Sequence, residues 1–254
     1  MDHEGAVPLA ELLDERRQLL DIAFWVTGDS GAAEEVVAET YRRWYALSAP
    51  ERRCVTAPRA WLVRVGGDIC LSRTTLPEPR AGHAEVTGTA GTATERAEPT
   101  EPAGLAGLAD LADLARESLR GRRSRPTTAE RHDTVVRAVR EACATEDPAS
   151  LASLLAPDAI AFFDGGGKVR ALIDPVHGNE RIARSLLTLL ARRTRTTLHT
   201  HSVNGRTGLV ARCDDRVAAV IGLGVAGHQA VQVWVVLNPD KLRSWNQQDT
   251  TGHH

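Results

Sequence analysis

The 254 residues are bounded first by what they lack. No stretch approaches the roughly 18 consecutive apolar residues of a membrane span, which excludes a transmembrane helix on the sequence alone. The N-terminus, MDHEGAVPLAELLDERR, is acidic where a secretory signal is basic and then apolar, so a cytoplasmic location is expected. Cysteine is scarce: Cys54, Cys70, Cys143 and Cys213 lie far apart, with no CxxC pair. That spacing excludes a zinc ribbon and a disulfide scaffold, and it fits reduced thiols. An excess of one charge is also missing. With 31 basic and 33 acidic side chains the net charge is -2, so nothing global marks a nucleic-acid binder. Lysine is nearly absent, only Lys168 and Lys241, and every other basic residue is arginine. Together with the abundance of alanine, this reads as a high-GC genome rather than as a function.

What is present is ordinary globular composition, 42% hydrophobic and 25% charged, in a length that suits one or two domains. Three zones separate by periodicity. From Leu9 to Arg73 the pattern is helical. Leu9, Leu12, Leu13, Leu19, Leu20, Ala23 and Phe24 form one apolar stripe that Gly28 ends. Ser30 is expected to cap a second helix, with Glu34 and Glu35 in its first turn, where the dipole favours negative charge. Its stripe is Ala33, Val36, Val37, Thr40, Tyr41 and Trp44. Pro58 is placed to open a third helix carrying Trp61, Leu62, Val65 and Ile69. Gly66 and Gly67 weaken that helix by about 1 kcal/mol each relative to alanine.

Residues 81–104 are built from Ala, Thr, Gly, Glu and Pro, too little apolar surface to offset ordering, and are expected to be a linker. Leucines at 105, 108, 111, 114 and 119 suggest one short helix ending in Arg120, Arg122, Arg123 and Arg125. From Thr127 to Trp245 the periods mix. Val135, Val136, Val139 and Cys143 suggest a helix, and Leu151, Leu154 and Leu155 a shorter one. AIAFF reads as a strand, and ERIARSLLTLLARR as an amphipathic helix. Four β-rich runs follow, TLHTHSVN, TGLVARC, RVAAVIGL and QAVQVWVVL, separated by NG, DD and AGH turns. The expected fold is a small helical bundle (1–80), a linker with a residual helix (81–126), an α+β domain with a curved antiparallel sheet (127–246) and a tail (247–254).

At these residues the chain resembles a known family. LLDIAFWVTGDSGAAEEVVAETYRRW resembles the region-2 helices of extracytoplasmic-function sigma factors, which dock on the RNA polymerase core. APRAWLVRVGGDICLSR resembles the helix that reads the promoter -10 element in that family. LPEP (76–79), DGGGKV (164–169) and NPDKL (238–242) resemble the marks of its SigJ-like subgroup, which carries a fused C-terminal SnoaL-like domain. The resemblance implies a cone-shaped α+β domain open to small molecules. It also implies that Glu34, Glu35, Val37, Tyr41 and Trp44 dock on the polymerase core. A domain interface made by Pro77, Asp164, Lys168, Asn238, Asp240 and Lys241 is implied as well.

The departures bear on function. The arginine-rich stretch that the family places before LPEP is missing, and residues 1–80 hold 13 acidic and 10 basic side chains, which opposes binding a polyanion. The helix-turn-helix of region 4, expected after LPEP, is replaced by the Thr/Ala/Gly stretch and one leucine-spaced helix. The expectation is a sigma-factor skeleton without promoter readers, so sequence-specific DNA is not an expected partner.

Fold does not fix function, so individual residues must carry the chemistry. Strand alternation puts Thr197, His199, His201 and Val203 on one face of TLHTHSVN. Two imidazoles there would suit general acid–base work, or they mark a solvent-facing polar edge. As an HxH pair they supply two metal ligands without a visible third, and no metal or other cofactor is expected. Gln232 and Trp234 share a strand face and are candidates to hold a ligand, with core packing the alternative for Trp234. Asp164 is a further candidate carboxylate. Gly165 to Gly167 lack the helix start and GK[ST] of a phosphate loop. The arginines at 120–125 lack interleaved aromatics and suit a solvated helix end. Two readings result. In one, the cone binds and transforms a small hydrophobic metabolite without a cofactor, by cyclisation, isomerisation or elimination, in bacterial specialised metabolism. In the other, the protein is a transcription protein, an extracytoplasmic-function sigma factor or a regulator that holds the RNA polymerase core, controlled by its SnoaL-like domain.

Overall fold

The computed structural model describes residues 6–74, 127–191 and 195–247. The expected linker, the leucine-spaced helix, the LPEP motif with Pro77 and the arginines at 120–125 lie outside the described residues. Among the described residues no helix is long and apolar enough to cross a membrane.

The first half is a helical layer. Helix α1 (Leu9–Thr27) ends where Gly28, at φ +69°, turns its N–H back to the Phe24 carbonyl at 2.8 Å. Asp29, not Ser30, caps α2 (Ser30–Ala46), accepting the Ala32 N–H at 2.7 Å. The expected position of the two glutamates shifts accordingly. Glu34 and Glu35 fall in the second turn, where they pair with Arg16 at 2.7 Å and Arg73 at 3.1 Å rather than with the helix dipole. A short helix α3 (Ala49–Cys54), which periodicity cannot reveal at that length, is set by a Ser48–Glu51 capping box. Helix α4 (Pro58–Thr74) runs unbroken through its glycine pair. Gly66 explains one of them. A Cβ there would sit 3.3 Å from Thr40 Oγ1 and 3.7 Å from Leu19, whereas at Gly67 it would meet nothing. The glycine therefore lets α4 close on α1 and α2, and tertiary packing outweighs its propensity cost. The α2 stripe is buried as its spacing demands, from Ala33 through Trp44.

The second half mixes helix and sheet. Helix α5 (Ala129–Ala144) and α6 (Pro148–Ser153) precede strand β1 (Leu155–Asp164). The expected second helix thus stops early. Leu155 opens β1 instead, because it pairs with Ala230. Strand β2 (Val176–His177) and helix α7 (Asn179–Leu189) come next, then β3 (Thr196–Val203), β4 (Arg206–Cys213), β5 (Arg216–Ala226) and β6 (Gln229–Val236), then α8 (Pro239–Gln247). The last four strands form the expected antiparallel meander. Asn204, Gly205, Asp214, Asp215 and Gly227 all take the positive φ that tight turns require. Strand β1 lies parallel beside β6, giving an open, curved six-stranded sheet in the order β2-β1-β6-β5-β4-β3.

The inner face of this sheet carries the main core. Ala161, Leu209, Ala211, Ile221, Leu223, Val233 and Val235 meet Val135, Val136 and Val139 of α5 and Ile182 and Leu186 of α7. Leu9, Ala10 and Leu12 of α1 belong to the same core. Helix α1 therefore divides its labour. Its first turns pack on the α+β half, and Leu19 and Ala23 pack in the helical layer. Phe24, expected in the stripe, is left 52% exposed. Both described halves form one compact unit.

Polar contacts reinforce the joint. Glu15, only 3% exposed at its side chain, pairs with Arg170 at 3.1 Å and accepts the Tyr41 hydroxyl at 3.3 Å. The Tyr45 hydroxyl donates to the Val169 carbonyl at 2.5 Å and accepts the Ala171 N–H at 3.0 Å. Burial pushes the Tyr45 phenol up to about 12, so it remains a donor. Arg195 bridges Asp14 at 3.4 Å and Asp214.

Of the interface residues implied by the resemblance, Pro77 lies outside the described residues and the other five gather at one place. Lys168 pairs with Asp240 and Lys241 with Asp164, each at 2.7 Å, so these residues bind the DGGGKV turn to the start of α8 within one half. Asn238 packs under the same turn, at a point where a Cβ on Gly166 (φ +59°) would lie 2.1 Å from its amide nitrogen. Contact with the helical layer comes from Val169 and Ala171 through Tyr45, from Arg170 through Glu15, and from Asp240, whose carboxyl is held low chiefly by the hydrogen bond from Lys168 and in part by Arg16 of α1.

Two variants test the joint. Tyr45→Phe leaves the buried Val169 carbonyl and the Ala171 N–H without that partner and should cost about 2 kcal/mol. Arg170→Ala strands the buried Glu15 carboxylate and should cost about 3 kcal/mol or more. Urea unfolding should show lower midpoints at unchanged slope. Midpoints equal to wild type would show that the joint contributes no stability.

Candidate functional site

A cavity of about 400 Å³ lies where the helical layer meets the α+β half. Val7, Leu12, Trp44, Arg52, Arg53 and Pro58 form one wall. Phe163, the segment Arg170–Val176, Leu237 and the α7 residues Arg181, Arg184, Ser185 and Leu189 form the other. The sequence builds each wall for a local reason. After β1 the chain must reverse. Gly165 allows this because a Cβ there would fall 2.4 Å from the Val169 carbonyl oxygen. Asp164 fixes the turn by accepting the Gly166 N–H at 2.9 Å. The chain then runs through residues 170–176 along the cavity before β2 begins. Helix α7 buries Ile182, Ala183, Leu186 and Leu189 in the core. Its residues at i, i+3 and i+4, namely Arg181, Arg184 and Ser185, therefore emerge together on the cavity side. Helix α3 supplies Arg52 and Arg53.

The lining combines apolar and basic side chains. Five arginines contribute (Arg52, Arg53, Arg170, Arg181 and Arg184), against a single carboxylate among the described residues, Asp174. Arg170 is neutralised by Glu15. Arg52 donates to the Leu47 carbonyl. Arg184 donates only to the Glu180 carbonyl of its own helix, at 3.3 Å. Arg53 and Arg181 have no acidic partner within 4.0 Å among the described residues. Guanidinium groups stay protonated at any working pH and cannot act as bases. Asp174 is the carboxylate that lines the cavity beside them. Among the described residues no three His, Cys, Asp or Glu side chains converge to hold a metal.

The residues marked from sequence lie elsewhere. Register places His199 opposite Val210, which in turn lies opposite Val220, itself opposite Val236. These valines belong to a small cluster with Leu242 and Trp245 of α8, on the outer face. His199 and His201 are exposed on edge strand β3, and His201 meets the Trp245 ring edge-on at 5.2 Å. Gln232 and Trp234 share that outer face. Trp234 stacks on Phe162 at 4.3 Å and is 36% exposed, while Gln232 is buried with its Nε2 unpartnered among the described residues. Asp164 ends β1 on the same face, bound to Lys241. Strand alternation thus gathers the five onto one face, which is not the face that lines the cavity. Of the five α2 residues, Val37, Tyr41 and Trp44 are buried in the helical layer, leaving Glu34 and Glu35 at the surface. Sequence reasoning passed over Arg53, Arg181 and Arg184. The Arg–x–x–Arg–Ser spacing of α7 was the available signal, hidden by the arginine-rich background.

Comparison with known proteins adds a likeness of shape. No family model and no curated protein matches the chain. Among solved structures, the Mycobacterium tuberculosis extracytoplasmic function sigma factor SigJ is similar at 22% identity, covering 91% of this chain and 97% of its own, with a TM-score of 0.37. A putative ketosteroid isomerase from Kribbella flavida is similar at 13% identity over 42% of this chain and 77% of its own, with a TM-score of 0.33. An M. tuberculosis LEH-like epoxide hydrolase is similar at 13% identity over 47% of this chain and 91% of its own, with a TM-score of 0.31.

The outer-face position of the imidazoles has a measurable consequence. His199→Ala should change stability by less than about 0.5 kcal/mol, as exposed substitutions do, and should leave ligand uptake by the cavity unchanged. Loss of binding in this variant, measured by titration calorimetry with folding verified by circular dichroism, would return the histidine to the site.

Proposed function

We propose that the protein is a small-molecule binder whose site is the cavity between the helical layer and the α+β half. One observation carries this reading: the two walls come from segments far apart in sequence, with Val7, Leu12 and Trp44 on one side and Phe163, Leu172 and Leu237 on the other. A pocket of this size that joins apolar walls to convergent polar groups is a usual form of small-molecule site. The resemblance to sigma factors with a SnoaL-like domain supports the same arrangement, with the region-2-like helices acting as a wall of the site. Binding is the activity proposed. The cyclisation, isomerisation or elimination expected of a catalytic cone needs an acid–base pair, and among the described residues the lining supplies none.

Native mass spectrometry of the full chain produced in a high-GC bacterial host tests the reading. Wild type should carry a small non-covalent adduct, and Ser185→Trp, which fills the cavity from α7, should lose it while remaining folded. Equal adducts in both proteins would overturn the proposal.

A second reading rests on a separate observation. Phe24 and Trp25 at the end of α1 are 52% and 87% exposed, and Leu71 of α4 is 62% exposed. Exposed aromatics of this kind mark protein contact sites. The partner proposed here is the RNA polymerase core. Co-elution of wild type with core polymerase, reduced at least about tenfold in affinity by Trp25→Ala, is the expected outcome. Equal co-elution of the two proteins, or none, would remove this reading.

A further inference from the structure

We infer that the ligand of this cavity is an anionic amphiphile, a carboxylate or phosphate monoester on an apolar body, with its charged end held by Arg53, Arg181 and Arg184. The inference rests on the cavity being the binding site. Its ground is the distribution of charge. The chain as a whole is net -2, and its first 80 residues carry more acidic than basic side chains. Composition therefore does not place arginines at the cavity without partners.

Several arginines are paired with carboxylates: Arg16 with Glu34, Arg73 with Glu35, Arg170 with Glu15 and Arg195 with Asp214. Arg53 on α3 and Arg181 on α7 face the same space from opposite walls without a carboxylate within 4.0 Å among the described residues. Arg184 stands one turn beyond Arg181, bonded to the Glu180 carbonyl and not to its carboxylate. Among the described residues, Asp174 is the only lining carboxylate to offset them.

Like charges gathered beside an apolar surface repel, and the repulsion is relieved when an anion enters. Guanidinium groups are suited to that anion. They present planar forks that match carboxylate and phosphate oxygens, and they shed water more readily than an ammonium. The apolar lining fixes the other end of the ligand. Phe163, Leu172 and Leu237 offer carbon surface and no charge, so a small hydrophilic anion would leave them wet. A chain or ring attached to the anionic group satisfies both ends at once.

Titration calorimetry of the full chain with three matched probes, decanoate, decyl phosphate and decanol, tests the inference. At least one anion should bind about tenfold or more tightly than decanol, and the tighter of the two identifies the headgroup. Arg53→Gln and Arg181→Gln, both surface changes, should each weaken that anion by about tenfold and leave decanol unchanged. Added salt should weaken the anion selectively. If decanol binds as tightly as both anions, or if the arginine variants bind the anions like wild type, the inference is overturned and the cavity reading stands. If no probe binds, or if Ser185→Trp binds all three like wild type, the cavity reading falls and the inference with it.

Discussion

A carboxylate taken out of water must keep a cation, and Glu15 is that carboxylate. It sits in the middle of α1, nearly fully buried, and Arg170 from the turn after β1 neutralises it. Tyr41 supplies a further hydrogen bond. Burial and the neighbouring Glu15 both push the Tyr41 phenol up, so it stays protonated and donates. Such a pair adds little net stability compared with apolar residues of the same volume, but separating it is costly. Its effect is therefore on position. Arg170 is the first residue of the segment that lines the cavity, and holding it against α1 holds that segment in place.

The same constraint explains why an ordinary-looking helix ends up with two functions. Leu9 and Leu12 are buried in the core of the sheet, while Leu19 and Ala23 are buried among helices. Burying each of the three leucines contributes about 1.5–3 kcal/mol by the usual area argument. Four apolar side chains along one stripe thus commit a single helix to two cores, and Glu15 lies between them.

Periodicity was a good guide wherever one face meets one core. The α2 stripe, the α5 and α7 helices and the four-stranded meander with its Asn-Gly and Asp-Asp turns all follow from residue spacing. It failed where tertiary contacts decide. Leu155 looks helical in its run of leucines but pairs with Ala230, and Phe24 fits the α1 stripe yet faces water. A two-residue strand such as β2 and a six-residue helix such as α3 have no period to read. For the site, alternation correctly put His199 with His201 and Gln232 with Trp234. Which face of the sheet is the inner one is not written in alternation. It is decided by which helices pack where, and α8, short and polar in sequence, covers part of the outer face. The cavity arginines were invisible for a further reason: in a chain with 29 arginines, only a structure shows which ones lack partners.

Tyr45 deserves a last reading in terms of backbone accounting. Accepting an N–H from Ala171 while donating to the carbonyl of Val169 is what the peptide groups of an adjacent strand would do. A single phenol from α2 therefore stands in for a missing neighbour at the place where the chain leaves the sheet. The α+β half is in this sense incomplete on its own, with two main-chain groups answered only from the helical layer and a socket filled only by Leu9 and Leu12. A fragment beginning at residue 127 would carry all the strands of the sheet and still lack part of its hydrogen bonding and part of its core. Joined through these contacts, the two halves should melt as one.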